Sequence, residues 1–397
     1  MMKIATGLEV LINDSRLQKE FKGNVALLCH NASIDAHFKH AALSFKTIFG
    51  PRFVKLFGPQ HGFSTDAQDN MIETAHVEHP FFKIPVYSLY SETRVPTDEM
   101  LVGIDHIFID LQDVGCRMYT YIYTLTLLLE KCSEKDIEVI VLDRPNPLNG
   151  ITLEGNILDP KFASFIGRHP IPVRHGMTIG EIGLFHQKYW AEKRIEYRVI
   201  KMLGWERGMF FEDTQLPWLL PSPNLARSES ALTFPATVLF EGTHLSEGRG
   251  TTQSLEIVGH PKIEPYSMFE GHLKQALKKA RLQGVALRPM TFMPTFQKQA
   301  GKVCGGFQIH VTDKKVYQPW RVGQWLLREL YHLMDNDFHW LDPPYEYDYI
   351  NLPIDIINGT DRLRHWVENN ESIEMLRSFE DFKEYRQMLE SIKIYEE

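Results

Sequence analysis

Four short apolar runs, each followed by polar residues, constrain the fold more than any other feature of this 397-residue chain. The runs occupy residues 25–29, 53–57, 107–109 and 139–142. Short continuous apolar segments separated by helix-length stretches are typical of buried parallel strands. Open α/β sheets bind their ligands beyond the carboxyl ends of their strands. The pattern therefore predicts a parallel sheet whose carboxyl edge carries a functional site.

Helical patterns alternate with these runs over the first 150 residues. Residues 119–131 form an apolar segment that follows Asp113 and Gly115 and precedes the run at 139–142. This order predicts βαβ crossovers, and hence a Rossmann-like parallel sheet in an α/β protein. No GxGxxG sequence follows the first run, so the sequence does not indicate dinucleotide binding, and no cofactor is expected.

The rest of the chain is predicted from its loops and caps. Residues 144–175 are dense in proline and glycine, which predicts a long ordered loop of the kind that often carries function. Thr178 and Glu181 form a capping-box pattern for a helix that runs to about Trp190. Residues 236–240 and 303–312 are predicted strands, and residues 266–283 a helix. We place a domain boundary at residues 225–235, between a Rossmann-like domain (1–230) and a smaller α+β domain (231–397).

Composition excludes some classes of partner. The formal net charge is −8, with a pI near 6.1 and both signs interspersed, so there is no basic footprint for nucleic acid or for an anionic membrane surface. The sequence shows neither a signal peptide nor an apolar run of about 18 residues, which predicts a cytoplasmic protein. The four cysteines have no paired spacing and are expected to be structural thiols. The oligomeric state is not predicted.

Polar residues follow the predicted strands where their carboxyl ends meet. The set comprises Asn31, Gln60, His61, Asp110, Asp113, Asp143, Arg144 and Asn146, with Glu241 joining after a fifth strand at 236–240. Carboxylates, amides and a histidine at one edge suit a hydroxyl-rich ligand and general acid–base chemistry. The alternative is that strand-end Asp and Asn residues only cap the following helices.

Two loops carry further candidates. In residues 113–121, Arg117 and Tyr119 are expected to hold an anion near a helix N-terminus, and an Asp113–Arg117 ion pair is the alternative. The glycine-rich loop at 241–252 supplies glutamates that act as general acids if apolar neighbours raise their pKa. Its alternative is a surface pair between Glu247 and Arg249.

Several histidines raise the question of a metal site. Those in loops beside acidic or amide groups are His30, His61, His175 and His244. Their spacing does not reproduce the close ligand pairs of zinc sites, so no metal is predicted. The tyrosine-rich segment at 345–349, together with Trp320, Trp325 and Trp340, is expected mainly to pack in the core, with a wall of the cleft or a dimer face as the alternatives.

Seven segments occur in order along the chain: LFGPQHGF at 56–63, PVYSLY at 85–90, DLQDVGCRMYTY at 110–121, LDRPNP at 142–147, PVRHGMTIG at 172–180, PSPN at 221–224 and LFEGTHLSEGRGTT at 239–252. Together they resemble the NamZ-type exo-β-N-acetylmuramidase family. The resemblance implies a Rossmann-like catalytic domain and a smaller auxiliary domain that contributes to the cleft. It also implies release of terminal β-linked N-acetylmuramic acid from peptidoglycan fragments, with a muropeptide or a disaccharide as substrate.

The resemblance also suggests roles for individual residues. Many relatives carry Glu at the position of Gln60, and an amide cannot shuttle protons as a carboxyl group does. We therefore expect Glu241 or Glu73 as the general acid, Asp113 as the base or acetamide orienter, and His61 as a hydrogen-bonding partner. The expected substrate-binding residues are Asn31, Gln60, Arg117, Tyr119, Asp143, Arg144, Asn146, Arg174, His175, Asn224, Glu247 and Arg249.

Muramic acid differs from glucosamine by a lactyl ether that ends in a carboxylate. An arginine fork reads such a group well, and Arg117, Arg144, Arg174 and Arg249 all lie in the matching segments. We expect one of these four to select the sugar. Two other functions stay open: a carbohydrate-binding protein without turnover, and a hydrolase of an ester or amide in a cell-wall fragment.

Overall fold

The computed structural model describes residues 4–69 and 72–396, and these residues form ten strands and fourteen α-helices, with short 3₁₀ and π segments between them. Residues 1–3, which belong to the N-terminal segment considered above for a signal peptide, lie outside the described residues. The strands are β1 Val25–Cys29, β2 Phe53–Gly58, β3 Val77–Glu78, β4 Pro85–Ser88, β5 His106–Asp110, β6 Glu138–Leu142, β7 Tyr197–Ile200, β8 Ile257–His260, β9 Val285–Phe292 and β10 Cys304–Val311.

Seven strands form one sheet in the order β3-β4-β2-β1-β5-β6-β7. All neighbouring pairs are parallel except β3 and β4. The predicted α/β class and parallel sheet are therefore confirmed, and the four apolar runs are β1, β2, β5 and β6. From β1 the chain builds outward to β2 and β4 on one side and to β5, β6 and β7 on the other. This reversal between β1 and β5 is where such sheets bind ligands.

The helices cover both faces of this sheet and fill the second half of the chain. They are α1 Gly7–Asn13, α2 Ser15–Glu20, α3 Ala41–Phe49, α4 Asp98–Leu101, α5 Tyr121–Cys132, α6 Ile179–Tyr189, α7 Ser228–Thr237, α8 Pro265–Met268, α9 Lys274–Ala280, α10 Pro319–Met334, α11 Pro353–Asn358, α12 Arg362–Glu368, α13 Ile373–Ser378 and α14 Lys383–Glu390. The predicted capping box of α6 is confirmed, with Thr178 accepting from the backbone N–H of Glu181. Among the described residues, no helix has both the length and the apolar character needed to cross a bilayer.

The second half contains a three-stranded antiparallel sheet in the order β8-β10-β9, packed with helices. This confirms the α+β expectation for that part of the chain. A large apolar core includes residues of both halves, from Ala26 to Ile392. The division of the chain at residue 230 stays a prediction.

The predicted strand at residues 236–240 is wrong. These residues end α7 and continue as a 3₁₀ turn at Val238–Gly242. The cause is tertiary packing against α10, because Gly323 approaches Ala236 so closely that a Cβ there would lie 2.3 Å from the Ala236 carbonyl oxygen. Glu241 therefore enters the site from a turn between the two halves rather than from a fifth strand.

Candidate active site

A small pocket lies beyond the carboxyl ends of β2 and β5. Its walls come from the loops after these strands and from segments of the second half of the chain. The polar lining consists of Gln60, His61, Tyr119, Thr120, Ser222, Glu241, Arg249, Tyr345 and Glu346. The position agrees with the reversal of strand order between β1, the central strand of the sheet, and its neighbour β5.

The turn after β2 brings Gln60 and His61 into the pocket. His61 has a φ of +69°, a strained conformation for a residue other than glycine. Its Nδ1 lies 2.7 Å from the carbonyl oxygen of Ala67, which can only accept, so Nδ1 carries the proton and Nε2 accepts from the Ser222 hydroxyl at 3.1 Å. Burial lowers the pKa of His61 to about 4. His61 is therefore a neutral hydrogen-bonding partner that fixes Ser222.

Glu241 has strong partners at both carboxylate oxygens. Oε1 accepts from Nη2 of Arg249 at 2.6 Å, and Oε2 accepts from the Tyr345 hydroxyl at 2.6 Å. Arg249 also donates from Nη1 to Glu247 at 2.7 Å, so one guanidinium bridges two carboxylates. These charge-assisted bonds hold the Glu241 carboxylate in a fixed position in the pocket wall.

Glu247 lies behind Arg249 and keeps it in place. Nζ of Lys298 forms an ion pair with its second oxygen, at 2.6 Å. Burial opposes ionisation, but the positive charges of Lys298 and Arg249 prevail and hold the pKa of Glu247 at about 2. The pair is buried, so the alternative of a surface pair is wrong. Gly248, with a φ of +84°, allows the tight turn that brings the side chains of Glu247 and Arg249 together.

Glu346 supplies a carboxyl group of the opposite character. Burial, together with the negative charge of Glu241, raises the pKa of Glu346 to about 7, while Arg94 opposes the shift. Its Oε2 is buried and has no hydrogen-bond partner among the described residues. The residue also has a φ of +46°, a second strained backbone position at this pocket. Glu346 is therefore a buried acid that keeps a large protonated fraction at neutral pH.

Sequence reasoning missed Glu346 as a site residue. The tyrosines of the segment at 345–349 favour packing in the core, and this is what the sequence predicts for the segment. The missed signal is a carboxyl group between aromatic residues, because such neighbours keep water away and raise the pKa of an acid. Glu346 is far from Glu241 along the chain, so the sequence does not indicate that the two carboxyl groups share a pocket. Only the tertiary structure brings them together.

Comparisons with known proteins show the family of this chain. Residues 25–229 match the family model described as exo-beta-N-acetylmuramidase NamZ, N-terminal, and residues 232–395 match its C-terminal counterpart. This chain belongs to the NamZ family. It is 38% identical over 381 residues to the peptidoglycan beta-N-acetylmuramidase NamZ of Bacillus subtilis (strain 168), covering 95% of this chain and 88% of that protein.

Two crystal structures of DUF1343 family proteins from Bacteroides fragilis share the fold of this NamZ-family chain. The first is 27% identical with a TM-score of 0.86 and covers 100% of both chains. The second is 26% identical with a TM-score of 0.75, covering 100% of this chain and 99% of the other. The architecture therefore extends to relatives of low sequence identity.

The structure brings some of the predicted site residues together and places others elsewhere. Those in the pocket lining are Gln60, His61, Tyr119, Glu241 and Arg249, with Glu247 directly behind Arg249. Gln60 accepts a hydrogen bond from the Thr120 hydroxyl at 2.6 Å, which fixes its amide. Burial raises the pKa of the Tyr119 phenol well above its usual value, so Tyr119 remains a hydrogen-bond donor.

The polar residues at the ends of β5 and β6 have structural partners. Arg144 forms a forked pair with the buried Asp110, at 2.5 and 3.0 Å. Asp143 accepts from Thr178 and Tyr395, and Asn146 bridges the backbone of its own turn to Met177. For these residues the alternative of capping and bracing the loops describes the structure better than substrate binding.

Further predicted residues brace loops around the pocket. Arg174 lies 3.6 Å from the buried Glu154, and Asn224 ties the backbone of Gln68 to Ser254. Through its backbone N–H, Asn31 donates to the Thr65 hydroxyl.

Two of the carboxylates expected to be catalytic are also outside the pocket lining. Asp113 accepts from the backbone N–H of Gly115 at 2.7 Å and lies 3.6 Å from Nε2 of His175. Glu73 has a side chain that is 46% exposed and pairs with Arg94 at 3.3 Å. Asp113 is as buried as Glu346 but does not line the pocket with Glu241, and Glu73 is exposed.

Arg117 lies outside the pocket lining, and it does not pair with Asp113. Its buried guanidinium donates to the carbonyl oxygens of Asn156, Ile171, Ile357 and Asn358, at 2.7–3.4 Å. These carbonyls belong to the long loop after β6 and to the end of α11. Arg117 therefore joins the two halves of the chain.

We expect Arg117→Met to lower the free energy of unfolding by about 3 kcal/mol or more, because several buried carbonyls lose a charged donor. Denaturant unfolding measures this loss. Arg194→Met is the matched control, since this arginine is 85% exposed and its pair with Glu196 adds little stability. A stable Arg117→Met protein with weakened substrate binding would instead support the original interpretation of Arg117 as an anion reader.

Proposed function

We propose that this chain is an exo-β-N-acetylmuramidase that releases terminal β-linked N-acetylmuramic acid from peptidoglycan fragments. The observation that carries the proposal is the pocket lined both by Glu346, a buried carboxyl group whose pKa is raised to about 7, and by Glu241, an ion-paired carboxylate. Membership of the NamZ family and the name of the Bacillus subtilis relative support it.

Two carboxyl groups in opposite protonation states are what glycoside hydrolysis normally needs. In this proposal Glu346 donates a proton to the glycosidic oxygen as its bond to the anomeric carbon of N-acetylmuramic acid breaks. Water then adds at that carbon and returns a proton to Glu346. The Glu241 carboxylate stabilises the positive charge that develops at the anomeric carbon, or orients the substrate acetamide as that group attacks. Glu346 thus supplies the carboxyl group that Gln60 lacks, and it takes the acid role first expected for Glu241 or Glu73.

The direct test is release of a chromophore from a β-linked N-acetylmuramic acid glycoside, beside the N-acetylglucosamine analogue. We expect turnover of the muramic substrate alone. Saturable binding of muropeptide fragments without turnover would favour the carbohydrate-binding function. Loss of an acyl or peptide group, detected by product mass, would favour a hydrolase of another linkage.

Arg249 is our candidate for reading the lactyl carboxylate. It lines the pocket, whereas Arg117, Arg144 and Arg174 donate to buried partners elsewhere. Its Nε is buried and has no hydrogen-bond partner within residues 4–69 and 72–396. That N–H is therefore placed to donate to an anion in the pocket.

We expect Arg249→Lys to reduce the preference for muramic over glucosamine substrates by about 10- to 100-fold, the value of a hydrogen bond to a charged group. The readout is the ratio of kcat/KM for the two substrates, because a general loss of rate cancels in it. Arg227→Lys, which alters an ion pair with Glu256 outside the pocket lining, is the control and keeps the ratio. An unchanged ratio in Arg249→Lys would remove Arg249 as the selector.

We further propose that the enzyme acts in the cytoplasm on imported fragments. All four cysteines are buried free thiols, as is usual for proteins of reducing compartments. Fractionation of cells, with the activity assayed in each fraction, tests this location.

A further inference from the structure

Three potential metal ligands lie close together beside helices α5 and α6, outside the active-site pocket. Glu130 lies in the last turns of α5, His186 in α6, and His169 in the loop between β6 and α6. One ligand atom from each lies within 4.8 Å of the other two. Nε2 of His186 is 3.8 Å from Oε1 of Glu130. We refer to these three residues as the His–His–Glu cluster.

Both histidines of the cluster are neutral and short of hydrogen bonds. Burial lowers the pKa of His169 to about 3 and that of His186 to about 4. His186 is fully buried, and neither of its ring nitrogens has a hydrogen-bond partner among the described residues, nor has Nε2 of His169. Buried polar atoms without partners are rare in native proteins and call for an explanation such as an ion. A neutral imidazole is the form that binds metals.

We propose that the His–His–Glu cluster binds one divalent transition-metal ion of the Zn²⁺ class. Two imidazoles and one carboxylate are a ligand set that zinc accepts, with water at the fourth position. Imidazole ligands favour Zn²⁺, Co²⁺, Ni²⁺ or Cu²⁺ over Mg²⁺ and Ca²⁺. An open cavity bordered by Glu130, Arg168 and Trp190 gives the ion a route from solvent.

The surroundings orient the ligands. Trp190 stacks on the ring of His169, with the centroids 3.8 Å apart and the planes at 11°. Arg168 donates to both oxygens of Glu130, at 3.1–3.3 Å. When Glu130 binds the ion through one oxygen, Arg168 keeps the other, as outer partners of ligating carboxylates do. The positive charge of Arg168 lowers the affinity of the His–His–Glu cluster for a cation but leaves its ligand atoms accessible.

The site has a consequence for the active-site loop. His169 follows Ile166, which lines the active-site pocket, by three residues in the same loop. A bound ion would tie this loop to α5 and α6 and stabilise the folded protein. The sequence predicted no metal, because the three ligands are far apart along the chain and form no spacing motif.

The test uses the full chain freed of metal with a chelator and then titrated with Co²⁺, whose visible absorption reports low-symmetry coordination by nitrogen and oxygen. Zn²⁺ is titrated in competition with a fluorescent chelator. We expect one ion per chain and a rise in Tm with Zn²⁺. Both are independent of glycosidase activity, so failure here and failure of the proposed function are distinguishable.

Variants separate the cluster from other histidines. Glu130→Gln and His169→Gln change partly exposed side chains, and each is expected to weaken binding by more than about 10-fold, the least that even an outer partner contributes. His310→Gln, an exposed histidine on β10, is the matched control and keeps full binding. Absence of binding in the wild-type chain, or equal binding in all three variants, would overturn the proposal.

Discussion

Replacing Glu346 with Gln is expected to lower kcat for a muropeptide disaccharide by about 10²- to 10⁴-fold, the usual contribution of a general acid. Gln keeps the size and polarity of the side chain and removes the proton that the leaving oxygen needs. The loss should be smaller for a nitrophenyl glycoside, because a nitrophenolate leaves without protonation. Comparing the two substrates separates an acid from a residue that only shapes the pocket.

The pH dependence gives a second readout of the same role. Because burial and Glu241 raise the pKa of Glu346 to about 7, the active protonated form is present below pH 7 and is lost as the pH rises. We expect kcat/KM of the wild-type enzyme to fall about tenfold per pH unit above this value. In Glu346→Gln this alkaline fall should be absent, since no titrating acid remains.

Glu73→Gln is the control for this pair of measurements. Glu73 is half exposed and pairs with Arg94 outside the pocket lining, so its replacement should change the rate only a few-fold and leave the alkaline fall in place. A loss of about 10²-fold or more in Glu73→Gln, with Glu346→Gln nearly normal, would reverse the assignment and return the acid role to Glu73.

The sequence predicted the sheet well because its signals are local. Each of the four apolar runs is long enough to be buried, and the polar residues after each run mark where the strand ends. The cap of α6 was predicted for the same reason, since Thr178 and Glu181 lie within one turn. Residues 236–240 were wrongly assigned to a strand because the close contact of α7 with α10 outweighs their β-branched composition.

The site was only partly predictable from the sequence. Gln60 and His61 follow a strand directly, and the sheet topology carries them into the pocket. An arginine in a loop looks the same in sequence whether it reads a substrate or, like Arg117, joins buried carbonyls. Glu346 becomes an acid only through burial beside Glu241, which is a property of the tertiary structure.

Glu241→Gln is expected to lower kcat by about 10²- to 10³-fold, a loss typical of removing one preorganised electrostatic partner of the transition state. It should also move the alkaline fall of kcat/KM to lower pH. The negative charge of Glu241 raises the pKa of Glu346, so its removal lowers that pKa. Without Glu241, Arg249 keeps only one of its two carboxylate partners, and its less balanced positive charge also lowers the pKa of Glu346.

The shift of the alkaline fall of kcat/KM to lower pH in Glu241→Gln distinguishes an electrostatic role of Glu241 from a structural one. Glu256→Gln removes another buried, ion-paired carboxylate, one that lies outside the pocket lining, and should leave the alkaline fall at its wild-type position. A misfolded pocket would reduce the rate without moving the fall in a defined direction. If Glu241→Gln instead moved the fall to higher pH, the two carboxyl groups would not repel each other, and Glu346 would lose the interaction that makes it an acid at neutral pH.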